Sequence, residues 1–300
     1  MHIPASMLNG AVCPVTLVVG AAGVGVAAYV ARKSEVKPSS ARFAAVTALI
    51  FALQMLNYPV QNGTSGHLVG AMLGVSLLGM PFAVLSMSIV LAVQAFFFGD
   101  GGVNALGANV LNMALIGAGF LGFVFNRTVK AGLNQKLGLA VASLLSVLVG
   151  AAACSIEVAL SGAVAFNKVM PAMLTVHMLI GLGEALLTVA LVTVLQSSER
   201  YWKANEQTFA FGAGALAIVA AALSPFASSF PDGLEWVSEK LSFAQFRGVE
   251  IPVMFPDYQA TFVSNAASST ITAGIIGIGI IFTITFIVCE FLKKVQLRTS

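Results

Sequence analysis

Apolar runs of about 20 residues follow one another along the chain, broken by short polar stretches. Runs of that length match the helix needed to cross a bilayer core. The pattern predicts nine spans, at 11–31, 43–60, 67–80, 82–98, 104–125, 137–157, 171–196, 207–224 and 270–292. The third is short and holds polar residues, so it reads as partly re-entrant. Strand-length segments of alternating hydrophobicity, which a membrane β-barrel would show, are not seen. The fold class expected is therefore an all-α polytopic membrane protein, a seven-helix bundle followed by a two-helix module.

Composition strengthens this picture. Of 300 residues, 58% are apolar and 9% are charged, against about 25% charged in soluble domains. Mean hydropathy is +0.93. The net charge of +3 reflects where the basic residues sit and does not indicate a nucleic-acid partner. The three cysteines, Cys13, Cys154 and Cys289, stand apart, which argues against a disulfide framework or a structural zinc site. The residues before the first apolar run lack a basic segment and do not read as a signal peptide.

Charge placement gives an orientation. With the N-terminus outside, the inner loops carry Arg32, Lys33, Lys37, Arg42, Arg127, Lys130, Lys136, Arg200, Lys203, Lys293, Lys294 and Arg298, and the outer side only Lys168, Lys240 and Arg247. The expected placement is the cell inner (plasma) membrane, C-terminus cytoplasmic. The polar segment SSERYWKANEQ then separates two units: a body at 1–196, a cytoplasmic linker at 197–206, and a two-span module at 207–300 with an outward loop. That loop carries Asp232, Glu235, Glu239, Glu250 and Asp257 against Lys240 and Arg247, an acidic bias suited to concentrating cations or simply to solvation.

Several polar groups stand out against the apolar background. The chain begins MHIP. The α-amine of Met1 with the amide nitrogen and Nδ1 of His2 can chelate one ion through fused five- and six-membered rings, in a plane that suits Ni(II) or Cu(II). Alone, a histidine at position two reads as a solvated tail. In QNGTSGH, Gly63 and Gly66 let the backbone turn, and Asn62, Thr64 and Ser65 can satisfy the freed backbone groups. His67 follows at the mouth of a span, either as a functional group or as a helix-terminal side chain bonded to a loop carbonyl. Gln94, Asn104, Asn109 and Asn112 are costly amides within spans, and Asp100 stands between glycines in FGDGG. Together they favour a polar cavity over simple helix packing. His177 and Glu184, seven apart, share a helix face and are read as a buried pair bonded to neighbouring helices, with a pathway role second. Glu157 falls near an interface, where exposure is cheap. GAGFLG at 117–122 lies inside an apolar span with no flanking strand, so helix packing explains it. Neither a P-loop nor H-E-x-x-H occurs. Gly20, Gly23 and Ala27 allow close approach of another helix, internal or from a separate subunit.

Taken in order, MHIP, GTSGHL, FGDGG…LGANVLNM and GEALLT resemble the CbiM/NikM substrate-binding (S) components of energy-coupling-factor cobalt and nickel transporters. PDGLEWV resembles the companion CbiN/NikN small subunit, here fused. The resemblance implies planar ligation of Ni2+ or Co2+ by the amine of Met1, the amide and imidazole of His2, and the imidazole of His67. Asn62, Ser65, Gln94, Asp100, Asn109, Asn112, His177 and Glu184 are then candidates for the surrounding shell or the ion's path. It also implies membrane lipid, a CbiQ/NikQ-like transmembrane coupling subunit and a CbiO/NikO-like ATPase as partners, the ion as cargo, and no cofactor. Ala5 stands where the family often has an acidic residue. The rivals are a stand-alone secondary carrier or channel for divalent transition-metal ions, which would need a continuous path of ionisable groups, and a membrane metalloenzyme, which would need a general base beside an open coordination position.

Overall fold

The computed structural model describes residues 2–61, 63–201, 205–243 and 251–297. It is helical nearly throughout. α1 (Val12–Lys33), α4 (Met80–Phe98), α5 (Leu106–Lys130), α6 (Gln135–Leu160), α7 (Phe166–Tyr201), α8 (Glu206–Leu223) and α10 (Ala266–Leu297) are long and apolar enough to cross a membrane. Side-chain caps start several of them. Asn134 accepts from the amides of Lys136 and Leu137, and Asn205 from that of Thr208.

Two predicted spans differ from expectation. α2 (Ser40–Gln54) has 15 residues, about 22 Å of helix, and α3 (Ala71–Leu78) has 8, about 12 Å. Neither matches a hydrocarbon core of about 30 Å. Both are almost wholly buried among other helices. Arg42 Nε donates to Leu77 O at 3.0 Å, so both short helices still run between the Arg42 end of the bundle and the hairpin end, shielded from lipid by their neighbours. Between α2 and α3 the chain forms a small antiparallel hairpin, β1 (Tyr58–Pro59) with β2 (Ser65–Gly66).

α2 packs chiefly against α8 and α10, while α6 and α7 pair along their length. The last two long helices thus embrace the body of the protein. At the end of the bundle away from the hairpin, Arg42 bonds Glu206 at 2.8 Å and stacks over Phe209. Lys293 bonds Ser40 there as well. α1 is peripheral. A Cβ on its Gly20 would lie 3.2 Å from Gly107 O, and one on Gly23 would overlap Leu115, so its small residues serve an internal contact with α5.

α4 ends in a π-helical turn, Gln94–Phe98, and α5 contains another, Val110–Phe120. Such widened turns re-aim side chains and recur at functional sites. A short helix, α9 (Gly233–Leu241), and 3-10 turns at Ser224–Phe226 and Pro256–Tyr258 lie in the loop between α8 and α10.

Candidate metal centre

The N-terminal segment lies inside the protein. Ile3, Met7 and Leu8 are buried with Ala105, Ala108 and Cys154. Polar groups fix its backbone: Ile3 N donates to Asn109 Oδ1 at 2.8 Å, Asn109 Nδ2 donates back to Ile3 O at 3.2 Å, and Gly102 N donates to Ile3 O at 2.9 Å. Asn104 Nδ2 reaches Ala5 O at 3.3 Å. A Cβ on Gly102 would come within 2.4 Å of Ala5 N, so only glycine admits so close a strand. Asn109→Ala would leave the buried Ile3 amide unpaired, a cost of about 1–3 kcal/mol. The variant is expected to melt earlier and to show faster hydrogen exchange at Ile3.

This anchoring delivers His2 to His67. The two rings stack 5.2 Å apart with 14° between their planes, and both residues are buried. His67 Nδ1 donates to Leu68 O at 3.0 Å, which fixes the tautomer and leaves Nε2 with its lone pair. Burial pushes the His2 imidazole down to about 3, so it is neutral at physiological pH, the form that ligates metal. Asp100, in the turn after α4, places Oδ1 3.2 Å from His2 Nδ1. Positive φ at Gly99 and Gly101, +71° and +83°, makes that turn.

The His67 turn is held from two sides. Glu184, on α7, accepts from Val69 N at 2.6 Å and Gly70 N at 3.0 Å. Gln54 Nε2 donates to Val69 O at 2.7 Å. From the C-terminal loop, Pro231 O accepts from Ser65 N at 2.8 Å, and Phe230 O accepts from Ser65 Oγ at 2.7 Å. Asp232 caps α9, accepting from Leu234 N and Glu235 N, while Glu235 Oε2 accepts from Asp232 N. PDGLE is thus a proline followed by a capping box. A Cβ on its glycine, Gly233, would sit 2.8 Å from Ile180 and 2.9 Å from His177, which is how the motif packs flat on α7.

A cavity of about 270 Å³ opens beside the two imidazoles, with Asp100, Asp232, Glu235 and Asp257 in its wall. Among the described residues no lysine or arginine lines it. Four carboxylates around two neutral imidazoles make a cation-attracting mouth. Among the described residues no three His, Cys, Asp or Glu side chains gather as a metal cluster.

The predicted site residues divide accordingly. His2, His67 and Asp100 meet. Ser65, Gln94, Asn109 and Glu184 position segments around them. Asn112 does not approach the cavity: its Nδ2 bonds Glu157 Oε2 at 2.7 Å, and Glu157 is buried, against the exposure expected of it. The four amides therefore do not line one cavity: their NH2 groups each donate to different backbone or side-chain partners. His177 Nδ1 donates to Met173 O at 2.8 Å. Its ring borders a small void with His67 and Asp232, and Nε2 meets no hydrogen-bond partner among the described residues. Met1 and Asn62 lie outside the described residues, as do Lys203, Arg247, Glu250 and Arg298.

Sequence reasoning missed Gln54, Tyr258 and the intimacy of the C-terminal loop with the site. The D-x-x-E spacing of a capping box marks the start of α9 but not its contact with the site. No pattern marked the other two.

Comparison with known proteins gives a consistent result. The CbiM model, cobalt uptake substrate-specific transmembrane region, matches residues 2–202, and the PDGLE domain model matches 206–294. An Archaeoglobus fulgidus protein assigned as a fused nickel transport protein NikMN is 33% identical over 302 residues, covering 98% of this chain and 99% of that one. The fused nickel transport protein NikMN of Rhodobacter capsulatus is 29% identical over 335 residues, covering 94% and 95%. A crystal structure of a transition metal transporter superposes with a TM-score of 0.60 at 31% identity, covering 67% of this chain and 94% of that one.

Proposed function

Given that the chain belongs to the CbiM family of cobalt uptake substrate-specific transmembrane regions, with a PDGLE domain completing it, we propose that it captures Ni2+ from the outer face of the cell membrane as the substrate-specific subunit of an energy-coupling-factor transporter. The chain is a nickel or cobalt transport membrane protein and not an enzyme. Nickel is the preferred cargo because two relatives that match over nearly the whole chain are named for nickel transport. The ligands are the amine of Met1, the amide and imidazole of His2, and the imidazole of His67. Four nitrogens in a plane stabilise low-spin Ni(II). Residues 1–196 form the metal-binding body, 197–206 the linker, and 207–300 a module that closes over the site. A transmembrane coupling subunit and a cytoplasmic ATPase supply the energy. Arg42 and Lys293, at the end of the bundle opposite the hairpin, support an outside N-terminus.

One observation carries this reading: the second residue of the chain is drawn into the interior and stacked on His67 beside a carboxylate-lined cavity. The test is Ni2+ titration of the purified full chain. His2→Ala and a one-residue N-terminal extension are each expected to weaken binding by at least about tenfold to a hundredfold, the range that loss of even an outer partner of a metal ligand produces. Tight binding retained by the extended form would remove the amine from the ligand set, and retention by His2→Ala would end the proposal.

A further inference from the structure

We propose that Tyr258 is a positioning residue for metal capture: its hydroxyl, brought in by the C-terminal loop, restrains the Asp100 carboxylate that faces His2. The proposal rests on the site reading above and adds a residue from outside the metal-binding body.

Tyr258 OH donates to Asp100 Oδ2 at 2.6 Å. The other carboxylate oxygen, Oδ1, lies 3.2 Å from His2 Nδ1. Charge-assisted N–H···O bonds usually close to about 2.7–2.9 Å, so the tighter contact is the one to tyrosine. His2 Nδ1 is also the atom that the ion requires. The carboxylate therefore competes with the metal for that nitrogen, and Tyr258 holds it at arm's length.

The hydroxyl also accepts. Gln94 Nε2 donates to it at 3.0 Å and to Gln54 Oε1 at 2.8 Å. Gln54 Nε2 in turn donates to Val69 O, two residues beyond His67. An unbroken series of side-chain contacts thus runs from His2 to the His67 turn, with Tyr258 at its centre as both donor and acceptor. Only a hydroxyl can fill both roles at one atom.

The placement is built rather than incidental. Asp257 and Tyr258 both adopt positive φ, +49° and +58°, a conformation that non-glycine residues keep only where surroundings impose it. The ring stacks on Phe98 at 4.9 Å and contacts Phe51 at 6.1 Å. Phe255 N donates to Phe97 O at 2.8 Å, tying the turn to the end of α4. The π-helical turn Gln94–Phe98 presents both Gln94 and the aromatic bed.

The test is a double-mutant cycle on the full chain in lipid nanodiscs, read by Ni2+ titration. Tyr258→Phe keeps the ring and its packing, so its melting temperature should stay close to that of the wild type. It is expected to weaken Ni2+ binding about tenfold, as loss of one hydrogen bond to a charged group does. In an Asp100→Ala background the same substitution should cost less than about twofold, because the group it restrains is gone. Equal losses in both backgrounds, or none in the wild type, would overturn the proposal. Gln94→Leu provides a second route, since it frees the hydroxyl to swing: its effect should likewise fade without Asp100, and an undiminished effect counts against the restraint. Binding retained by His2→Ala and His67→Ala would instead indict the metal site. Binding lost in those two but unchanged in Tyr258→Phe would indict Tyr258 alone.

Discussion

His67→Ala is expected to reduce Ni2+ affinity by more than about a hundredfold while leaving the helical circular dichroism of the protein unchanged. Removing an outer partner of a metal ligand already costs about 10–100-fold, and this substitution removes a nitrogen proposed above as a ligand itself. The fold should survive because the hairpin around His67 has its own supports. Ser65 is bonded to the chain at 230–231, and Val69 and Gly70 are bonded to Glu184. The tautomer also matters. With Nδ1 committed to Leu68 O, a substituent must supply a nitrogen lone pair at the Nε2 position to restore binding, and an amide NH2 only donates, so His67→Gln should rescue little. Calorimetric titration of both variants checks this, and affinity within tenfold of wild type for His67→Ala would place the ion elsewhere.

The second large effect is expected at Glu184. Its side chain is fully buried and pairs two consecutive backbone amides at the end of the His67 turn. Glu184→Ala strands both N–H groups away from water, each at about 1–3 kcal/mol. The loss should appear as an earlier thermal transition in nanodiscs, together with impaired Ni2+ binding because the turn is no longer held. Glu184→Gln retains a carbonyl oxygen able to accept one of the two bonds and should fall between. A variant that melts as the wild type does would show that the turn is held without this carboxylate.

What the sequence revealed follows from which forces leave a pattern. Lipid contact demands an uninterrupted apolar run, so the long helices were legible to within a few residues at each end. The shortness of helices α2 and α3 was not fully legible, because burial in protein selects the same side chains as burial in lipid. His2, His67 and Asp100 were legible as chemical groups, by position two, by a glycine-rich turn and by flanking glycines. Their convergence was not, since it depends on Asn109 and Gly102 gripping the backbone of Ile3 across 106 and 99 residues of sequence. Asn104, Asn109 and Asn112 were noticed as costly amides but assigned to one cavity. Sequence shows that such a group needs a partner without showing which. Tyr258 escaped altogether, because a tyrosine near a membrane surface is ordinary and its importance comes from a turn with no periodicity.

The placement of α2 between α8 and α10 has a consequence for why one polypeptide carries both parts. In water, uncovering so apolar a helix would be prohibitive. In a bilayer the vacated flank would simply meet acyl chains, which solvate it nearly as well, so helix association there has little hydrophobic driving force. Docking of the terminal pair must then lean on shape and on a few polar clasps such as Arg42 with Glu206. A covalent tether replaces a two-dimensional search with a high local concentration. Fusion, on this view, guarantees one cover per site where a detached peptide would be shared and intermittently lost.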